Sequence, residues 1–372
     1  MIRRTTISAC FIAIAVGLIG ALISFNRINA QNGTERFDQF DRDGNGVVTK
    51  AEAGNAAWYN RLLRLHDRNR NGVLERSEIA ETANSRTLSK LPPGIVRHPD
   101  LRFGKTAGVL PRLQSLDVYT PKSSGSNDDT SNTKLRPVFL FVHGGSWKKG
   151  DKENGWFLAK RMIERGYIFA STNYRLLPKA KFPENAVDVA AAVAWMRAHA
   201  AEYGGDPDRI ILVGHSAGAH LAALVGTDER YLAKHGLKLS TIKGVISLDT
   251  LMYDVVEYAK ESNGRRRVID AFGDGADRWR SASPALQAAR NTDVPPIVIA
   301  FSGGITGGRA DPRKVQADRF ADALRTIGGK AIVIDAGKKT HREIAQEFDA
   351  ANDHVAGKAF EFLDGIKRPA TK

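Results

Sequence analysis

The segment Gly214-His215-Ser216-Ala217-Gly218 constrains the fold of this chain more than any other part of the sequence. It has the pattern G-x-S-x-G, with an apolar β-type run over 209–213 before it and a helix-forming run over 219–224 after it. A strand, a tight turn and a helix around this pattern are typical of a nucleophile elbow, which holds the serine hydroxyl above the carboxyl end of a sheet. The alternative interpretation is an ordinary glycine-rich turn between a strand and a helix.

A second glycine-rich turn, further upstream, supports the elbow interpretation. Residues 137–142 form a nearly continuous apolar run, as expected of a buried parallel strand, and lead into His143-Gly144-Gly145-Ser146-Trp147. Glycines let the main chain approach a ligand closely, and backbone N–H groups on such a loop can bind the oxyanion of a tetrahedral intermediate. We predict an oxyanion hole from the N–H groups of Gly144, Gly145 and Ala217. The alternative is a glycine turn in which His143 only packs.

In their order and spacing, these two motifs resemble the α/β-hydrolase superfamily, and more narrowly its esterase and lipase branch with an H-G-G-x-W oxyanion loop. That branch includes feruloyl-esterase-like and acetyl-esterase-like proteins and the kynurenine formamidases. The resemblance covers about residues 98–366 and includes Asn173-Tyr174-Arg175-Leu176, Phe182-Pro183 and Gly204-Gly205-Asp206-Pro207. It implies an α/β fold with a doubly wound, mostly parallel sheet, and a catalytic triad in the chain order serine, acid, histidine.

The base and the acid of such a triad are expected on loops after the last strands. Residues 331–335 form the last apolar run, and His341 follows it closely, so we predict that His341 is the base. His354, in a later helical stretch, is the weaker candidate. With Ser216 as the nucleophile and Asp311 as the acid, these residues predict acyl transfer through an acyl-enzyme.

The choice of Asp311 rests on its position after the preceding strand. That strand is predicted over 295–301, and Asp311 is the first carboxylate that follows it. The glycine-rich loop before Asp311 is longer than the family pattern, and an aspartate before Pro312 can simply cap a helix. Asp249, after the apolar run 244–248, is the alternative acid, although it lies one strand earlier than the usual arrangement.

A different pattern occupies the N-terminal part of the chain. Two segments, which begin at Asp41 and Asp67, match the EF-hand calcium loop, with oxygen ligands at fixed positions and a glycine at the sharp turn. The expected ligands are Asp41, Asp43, Asn45, Val47, Thr49 and Glu52 in the first loop, and Asp67, Asn69, Asn71, Val73, Glu75 and Glu78 in the second. Oxygen ligands at this spacing favour Ca²⁺ over Mg²⁺.

The two calcium loops are expected to share one helix, from Trp58 to Leu65, because only residues 53–66 separate them. The pair resembles the compact EF-hands and dockerin-like modules of secreted bacterial proteins. We therefore expect a small all-α EF-hand module with two structural Ca²⁺ ions, and no cofactor for catalysis.

The 372-residue chain is long enough for a hydrolase domain and this module. Residues 1–30 combine a basic start with a long apolar run, which predicts an exported protein with a signal peptide or an uncleaved membrane anchor. We predict the EF-hand pair over 34–85, a linker over 86–97 and the hydrolase domain over 98–372. The single cysteine, Cys10, lies within the targeting segment, so no disulfide is expected after cleavage.

The formal net charge of +14 favours association with anionic surfaces or polymers. The sequence shows no zinc-finger, helix-turn-helix or RNA-binding pattern, and we interpret Arg265-Arg266-Arg267 as a solvated face, so no nucleic-acid partner is expected. The region 251–282 shows no clear strand and is expected to form a lid or another segment that faces the substrate. The aromatic residues that could line the pocket or pack in the core are Trp147, Tyr253 and Trp279.

Three functions are compatible with these patterns. The first is a serine carboxylic-ester hydrolase that acts on a small-molecule or carbohydrate-linked ester. The second is C–N hydrolysis of the arylformamidase type, because the same oxyanion loop occurs there. The third is a calcium-dependent binding protein on an inactive hydrolase scaffold, against which the complete set of candidate triad residues argues.

Overall fold

The computed structural model describes residues 40–41, 47–54, 59–60, 63–64, 67, 72–75, 91–122, 134–291, 293–303 and 311–366. Its contacts divide the chain into two units, Met1–Lys90 and Leu91–Lys372. The predicted targeting segment over 1–30 lies outside the described residues. In the part of the chain that is described, no helix is both long enough and apolar enough to cross a membrane.

In the N-terminal unit, strand β1 (Val47–Val48) pairs antiparallel with strand β2 (Leu74–Glu75). Val48 lies opposite Leu74, and both side chains are buried in a small apolar cluster with Ala53 and Tyr59. Helix α1 (Lys50–Ala53) begins with a capping box, in which Thr49 and Glu52 satisfy each other's backbone N–H groups. Within the predicted helix from Trp58 to Leu65, the described residues 59–60 and 63–64 are helical.

The C-terminal unit is built on one eight-stranded sheet with the order β10-β9-β8-β7-β5-β6-β4-β3. Strand β4 runs antiparallel to both of its neighbours, and all other neighbouring strands are parallel. The strands are β3 (Ile95–Arg102), β4 (Ser115–Pro121), β5 (Arg136–Val142), β6 (Ile168–Thr172), β7 (Gly205–His215), β8 (Ile242–Leu248), β9 (Ile297–Phe301) and β10 (Ala331–Asp335).

Helices connect the parallel strands and cover both faces of the sheet. They are α2 (Trp156–Glu164), α3 (Glu184–His199), α4 (Ala217–Val225), α5 (Glu229–Ala233), α6 (Val255–Tyr258), α7 (Gly264–Phe272), α8 (Ala276–Ser281), α9 (Pro284–Ala288), α10 (Pro312–Thr326), α11 (Glu343–Gln346) and α12 (His354–Gly365). Short 3₁₀ helices lie at Pro111–Gln114, Lys152–Gly155, Ala200–Tyr203 and Leu239–Thr241.

The core consists of two apolar layers, one on each face of the sheet. The first layer contains the buried sides of α3 and α4, and the second contains those of α2 and α12. Strands β6 and β9 are buried at every residue. This is the reason that the whole of β9 and the first three residues of β6 are apolar without alternation.

The predicted α/β architecture is confirmed, but the predicted domain boundary differs. Strand β3 begins at Ile95, inside the predicted linker over 86–97, and its residues Val96 and Arg97 pair with Thr120 and Tyr119 of β4. No sequence pattern predicts this strand, because its burial is irregular along the chain and it contains charged residues. The predicted lid region, 251–282, contains helices α6, α7 and α8 and no strand.

Two helical glycines offer a matched test of the packing. A Cβ atom on Gly218 of α4 would lie 2.1 Å from the carbonyl oxygen of Val142 at the end of β5, whereas a Cβ atom on Gly357 of α12 has nothing within 4 Å. We expect Gly218→Ala to destabilise the protein by about 2 kcal/mol or more, and Gly357→Ala to stabilise it by up to about 1 kcal/mol. Denaturant titration measures both. Equal effects of the two substitutions would contradict the close contact between α4 and β5.

Candidate functional site

The turn between β7 and α4 presents Ser216. Its backbone is left-handed, with φ 57° and ψ −118°, a conformation that costs a non-glycine residue about 1–3 kcal/mol. The surrounding contacts hold it there: the Ser216 N–H donates to the Leu248 carbonyl oxygen at 2.9 Å. A Cβ atom on Gly214 would lie 2.1 Å from the Gly218 carbonyl oxygen, so only glycine fits at this point of the turn.

His341 connects Ser216 to a carboxylate. It lies on the loop between β10 and α11, with Nε2 at 3.0 Å from Ser216 Oγ and Nδ1 at 2.6 Å from Asp249 Oδ2. A carboxylate only accepts hydrogen bonds, so Nδ1 carries the proton and Nε2 has a free lone pair towards the serine hydroxyl. In this tautomer, His341 can accept the hydroxyl proton of Ser216.

Asp249 follows β8 directly, in a left-handed conformation with φ 62°. Ser302 donates to it twice, from its N–H to Oδ1 at 3.0 Å and from Oγ to Oδ2 at 2.6 Å, and Arg313 Nε lies 3.1 Å from Oδ1. Burial alone would raise the pKa of Asp249, but the hydrogen bonds from His341 and Ser302 and the charge of Arg313 outweigh it and lower the pKa. The carboxylate therefore stays ionised beside the imidazole.

The prediction that Asp311 orients His341 is wrong in this structure. Asp311 is the N-cap of α10, where its carboxylate accepts the Arg313 N–H at 2.9 Å. This is the capping role that the Asp-Pro pair at the start of a helix also predicts. The alternative residue, Asp249, occupies the position of the acid. The other candidate base, His354, contacts the Asp335 carbonyl oxygen at 2.8 Å.

The glycine-rich loop after β5 packs tightly against the serine turn. A Cβ atom on Gly144 would lie 3.0 Å from Ser216 Cβ, and one on Gly145, where φ is 126°, would lie 1.9 Å from the Lys149 carbonyl oxygen. Ala217 is the first residue of α4, so its N–H has no partner within that helix. The structure thus places Gly144 and Ala217 beside Ser216. The role of Gly144, Gly145 and Ala217 as oxyanion donors stays a prediction.

His143 stabilises this loop from the interior. Its ring stacks on Tyr174 with a centroid separation of 4.4 Å, and the Tyr174 hydroxyl donates to the His143 carbonyl oxygen at 3.1 Å. Burial lowers the pKa of His143, so the ring is neutral near pH 7. His143 is a packing residue in this geometry.

A buried ionic network, which the sequence did not reveal, anchors the far end of the loop. Lys152 is 3% exposed, and its Nζ lies 2.6 Å from Asp100 Oδ1 and 3.2 Å from Asp117 Oδ1. Burial opposes this charge, but the carboxylates around it raise the pKa of Lys152 above its usual range. Arg97 Nη2 pairs with Asp117 at 2.6 Å, and the Lys152 N–H donates to Asn173 Oδ1 at 2.6 Å. Nothing in the sequence marks these charged residues as buried, because charged side chains are usually exposed.

A cavity of about 450 Å³ opens above the serine. Its base is formed by Ser216, His341 and Asp249. Its walls are Ser146, Trp147, Lys148, Ala217, Thr250, Leu251, Met252, Tyr258, Arg267, Asp270, Ala271 and Arg313. Of the aromatic residues considered from sequence, Trp147 lines this cavity. Tyr253 instead bonds Ser247 and stacks on Phe320, and the Trp279 indole donates to the Gly273 carbonyl oxygen.

His220 links the helix behind the serine to the segment over the cavity. It lies on α4, fully buried, with Nε2 at 2.8 Å from the Ala282 carbonyl oxygen and its ring against the edge of Trp147. Burial lowers the pKa of His220 to about 4, although the hydrogen bond to Ala282 opposes the shift. The native protein therefore excludes a proton that the unfolded chain binds.

This exclusion makes the stability depend on pH. Between pH 6.5 and about 4 the unfolded chain gains the proton first, so the free energy of unfolding falls as the pH falls. Relative to His220→Gln, which cannot titrate, the wild-type protein should lose roughly 3 kcal/mol across this window. Denaturant titrations at a series of pH values measure the difference. Parallel curves for the two proteins would show that His220 is not held neutral by burial.

The sheet with one antiparallel strand, the serine turn and the serine–histidine–aspartate arrangement define an α/β-hydrolase. The family model BD-FAE matches residues 116–301, which is half of the 372-residue chain. The chain belongs to the BD-FAE family.

Relatives and solved structures agree with this fold. The chain is 31% identical over 257 residues to a probable isoprenylcysteine alpha-carbonyl methylesterase, ICMEL1, of Arabidopsis thaliana. The aligned region covers 66% of this chain and 52% of that protein. It is 28% identical over 314 residues to esterase LipQ of Mycobacterium tuberculosis, covering 78% and 69%. The chain thus spans 52% of the length of the first of these curated relatives and 69% of the second.

Among solved structures, esterase B from Lactobacillus rhamnosis superposes with a TM-score of 0.57 at 18% identity. The match covers 78% of this chain and 92% of that chain. At this identity the likeness shows the fold alone.

Proposed function

We propose that this protein is a serine carboxylic-ester hydrolase that works through an acyl-enzyme. The observation that carries the proposal is the bridge that His341 makes between Ser216 Oγ, at 3.0 Å, and the buried carboxylate of Asp249, at 2.6 Å. The bridge lies at the base of an open cavity, where a substrate can reach the hydroxyl. Membership of the BD-FAE family and the esterase relatives support the same reaction.

The geometry gives each residue a step in the reaction. His341 Nε2 takes the hydroxyl proton as Ser216 Oγ attacks the acyl carbon, and Asp249 stabilises the imidazolium that forms. The backbone N–H groups of Gly144, Gly145 and Ala217 are proposed to bind the oxyanion. His341 then gives the proton to the leaving alcohol oxygen. In the second half, His341 takes a proton from water as the water oxygen attacks the acyl carbon, and it then gives that proton to Ser216 Oγ as the carboxylic acid is released.

Ester hydrolysis is preferred to C–N hydrolysis because the curated relatives described above are esterases. The proposed substrates are small-molecule or carbohydrate-linked esters. A panel of p-nitrophenyl esters, acetylated and feruloylated sugars and aryl formamides distinguishes the two reactions. Faster turnover of the aryl formamides than of every ester would favour the C–N reaction instead.

Two aspartate variants test the proposed triad, with Ser216→Ala as the reference for complete loss. Asp249→Asn keeps the shape but removes the charge that fixes the His341 tautomer, so kcat should fall by about 10⁴. Asp311→Asn is the matched control, because its side chain only caps α10, and its kcat should stay within a few fold. Steady-state hydrolysis of p-nitrophenyl butyrate measures both. If kcat fell more in Asp311→Asn than in Asp249→Asn, Asp311 would be the acid. Full activity of Ser216→Ala would show that Ser216 is not the nucleophile.

We further propose that the N-terminal unit binds two Ca²⁺ ions. Val48 and Leu74, each the eighth residue of its predicted calcium loop, lie opposite each other in the β1–β2 pair. In the second loop, Asp67 Oδ2 accepts a hydrogen bond from the Gly72 N–H at 3.0 Å. This pairing supports the fit of the residues to two calcium loops. The described candidate ligands are Asp41, Val47, Thr49, Glu52, Asp67, Val73 and Glu75. The candidates Asp43, Asn45, Asn69, Asn71 and Glu78 lie outside the described residues.

Calcium should stabilise the N-terminal unit and leave the chemistry unchanged. At a hundredfold excess over Kd, binding to the native form alone adds about 2.7 kcal/mol of stability. Calorimetric titration of the full chain should detect two sites, which the double variant Glu52→Gln, Glu78→Gln should lose. The glutamine that replaces Glu52 retains a side-chain oxygen for the capping box, so the loss reports on the metal. Loss of esterase activity on chelation would contradict the separate role of the metal.

The basic and apolar start of the sequence supports our proposal that the protein is exported. The resulting locations are the periplasm, the cell surface or the medium, and an uncleaved segment would anchor it to a membrane. Mass spectrometry of the mature protein decides between cleavage and anchoring, and an intact N-terminus in a cytosolic fraction would contradict export.

A further inference from the structure

The cavity above Ser216 holds two cations that do not position the serine or the histidine. Lys148 lies on the loop after Trp147, and Arg267 lies on α7. Within the described ranges, neither forms an ion pair with a carboxylate. We propose that these cations select esters that carry a carboxylate away from the scissile bond. This inference rests on the proposed esterase function and specifies its substrate class.

The position of Arg267 follows from the pattern of α7. Gly264, Val268, Ala271 and Phe272 form the buried side of that helix. Arg267, Asp270 and Ala271, three and four residues apart, share the face that borders the cavity. The three members of the Arg265-Arg266-Arg267 run therefore have different surroundings, although the sequence suggested one solvated face.

A buried tyrosine holds the guanidinium at the cavity wall. Arg267 Nη1 donates to the Tyr258 hydroxyl at 2.9 Å, and Tyr258, only 4% exposed, also lines the cavity. An arginine has five N–H donors in a planar fork that matches the two oxygens of a carboxylate. One donor is used by Tyr258, so the others can bind a ligand.

The two neighbours of Arg267 in the run do not face the cavity. Arg265 pairs with Asp274, and its guanidinium lies over the ring of Trp279 at 5.1 Å. Arg266 is exposed and does not border the cavity. Arg266 therefore carries the same charge on the same helix without access to a bound substrate, which makes it a matched control.

The remaining charges of the cavity wall do not cancel these cations. Arg313 and Asp249 are paired with each other at 3.1 Å. Asp270 is an exposed carboxylate on the same wall, so it opposes the binding of an anion and leaves two cations against one carboxylate. An apolar surface that includes Leu251 and Met252 accompanies these charges. A substrate with an apolar chain and a terminal carboxylate matches this combination.

Two pairs of esters test the proposal on the full-length protein. The acyl pair is p-nitrophenyl hexanoate and the p-nitrophenyl monoester of adipic acid, which have the same chain length but differ in a terminal carboxylate. The alcohol pair is the para-acetoxy derivatives of phenylpropionamide and phenylpropionate. For each pair, the measured quantity is the ratio of kcat/KM for the charged ester to that for the neutral ester.

The expected result is a ratio above one in at least one pair, and that pair identifies the side of the ester that bears the carboxylate. Arg267→Gln should lower the ratio by about three- to tenfold, because the group is exposed and partly screened. Arg266→Gln should leave it unchanged, and Asp270→Asn should raise it. In 1 M salt, where the Debye length is about 3 Å, the preference should shrink.

The measurements distinguish failure of the esterase proposal from failure of the proposed substrate class. If no ester of either pair is hydrolysed, the proposed function itself is wrong. If the neutral esters are hydrolysed and neither pair shows a preference for the charged member, the substrate class is wrong and the esterase proposal stands. A preference that Arg266→Gln and Arg267→Gln reduce equally would come from the overall charge of the protein, and it would overturn the assignment to Arg267.

Discussion

The left-handed backbone of Ser216 is the constraint on which the rest of the site depends. It requires close contacts on both sides: Gly214 against the carbonyl of Gly218, and Gly218 against the end of β5. These contacts bring α4, β5 and β7 together where the glycine-rich loop begins. The loop must then fold tightly at Gly144 and Gly145, which places its main chain beside the serine hydroxyl. One strained residue thus fixes the position of the proposed nucleophile relative to the proposed oxyanion donors.

The sequence predicted the parts of the site that depend on local spacing. Short motifs predicted the serine turn and the loop after β5. His341 was predicted from its position shortly after the last strand. The acid did not follow in this way. Both Asp249 and Asp311 come after strands and before His341 in the chain, and the usual position of the acid in the family, one strand later than Asp249, favoured Asp311. The structure differs because Asp311 caps α10, while β9 brings Ser302 to Asp249.

The ionic network behind the loop could not be predicted either, because the burial of its residues depends on contacts between segments that are distant in sequence. In the sequence, Arg97, Asp117 and Lys152 read as ordinary surface charges, since charged residues are seldom buried. They become buried only when β3 and β4 pair at the edge of the sheet and the loop end packs onto them. Removal of one member of this network destabilises the protein strongly, because the opposite charge is then buried and unpaired. The pairing at the edge of the sheet thereby holds the loop that faces Ser216.

In the proposed mechanism, Asp249 and not Asp311 fixes His341 for proton transfer from Ser216. Proton NMR of the histidine side chains tests it most directly, because a ring N–H bound to a carboxylate gives a resolved low-field resonance. Such a resonance is expected for His341 Nδ1 in the wild-type protein and in Asp311→Asn, and it should be lost in Asp249→Asn and in His341→Ala. A resonance that persists in Asp249→Asn and disappears in Asp311→Asn would show that Asp311, and not Asp249, binds the His341 N–H.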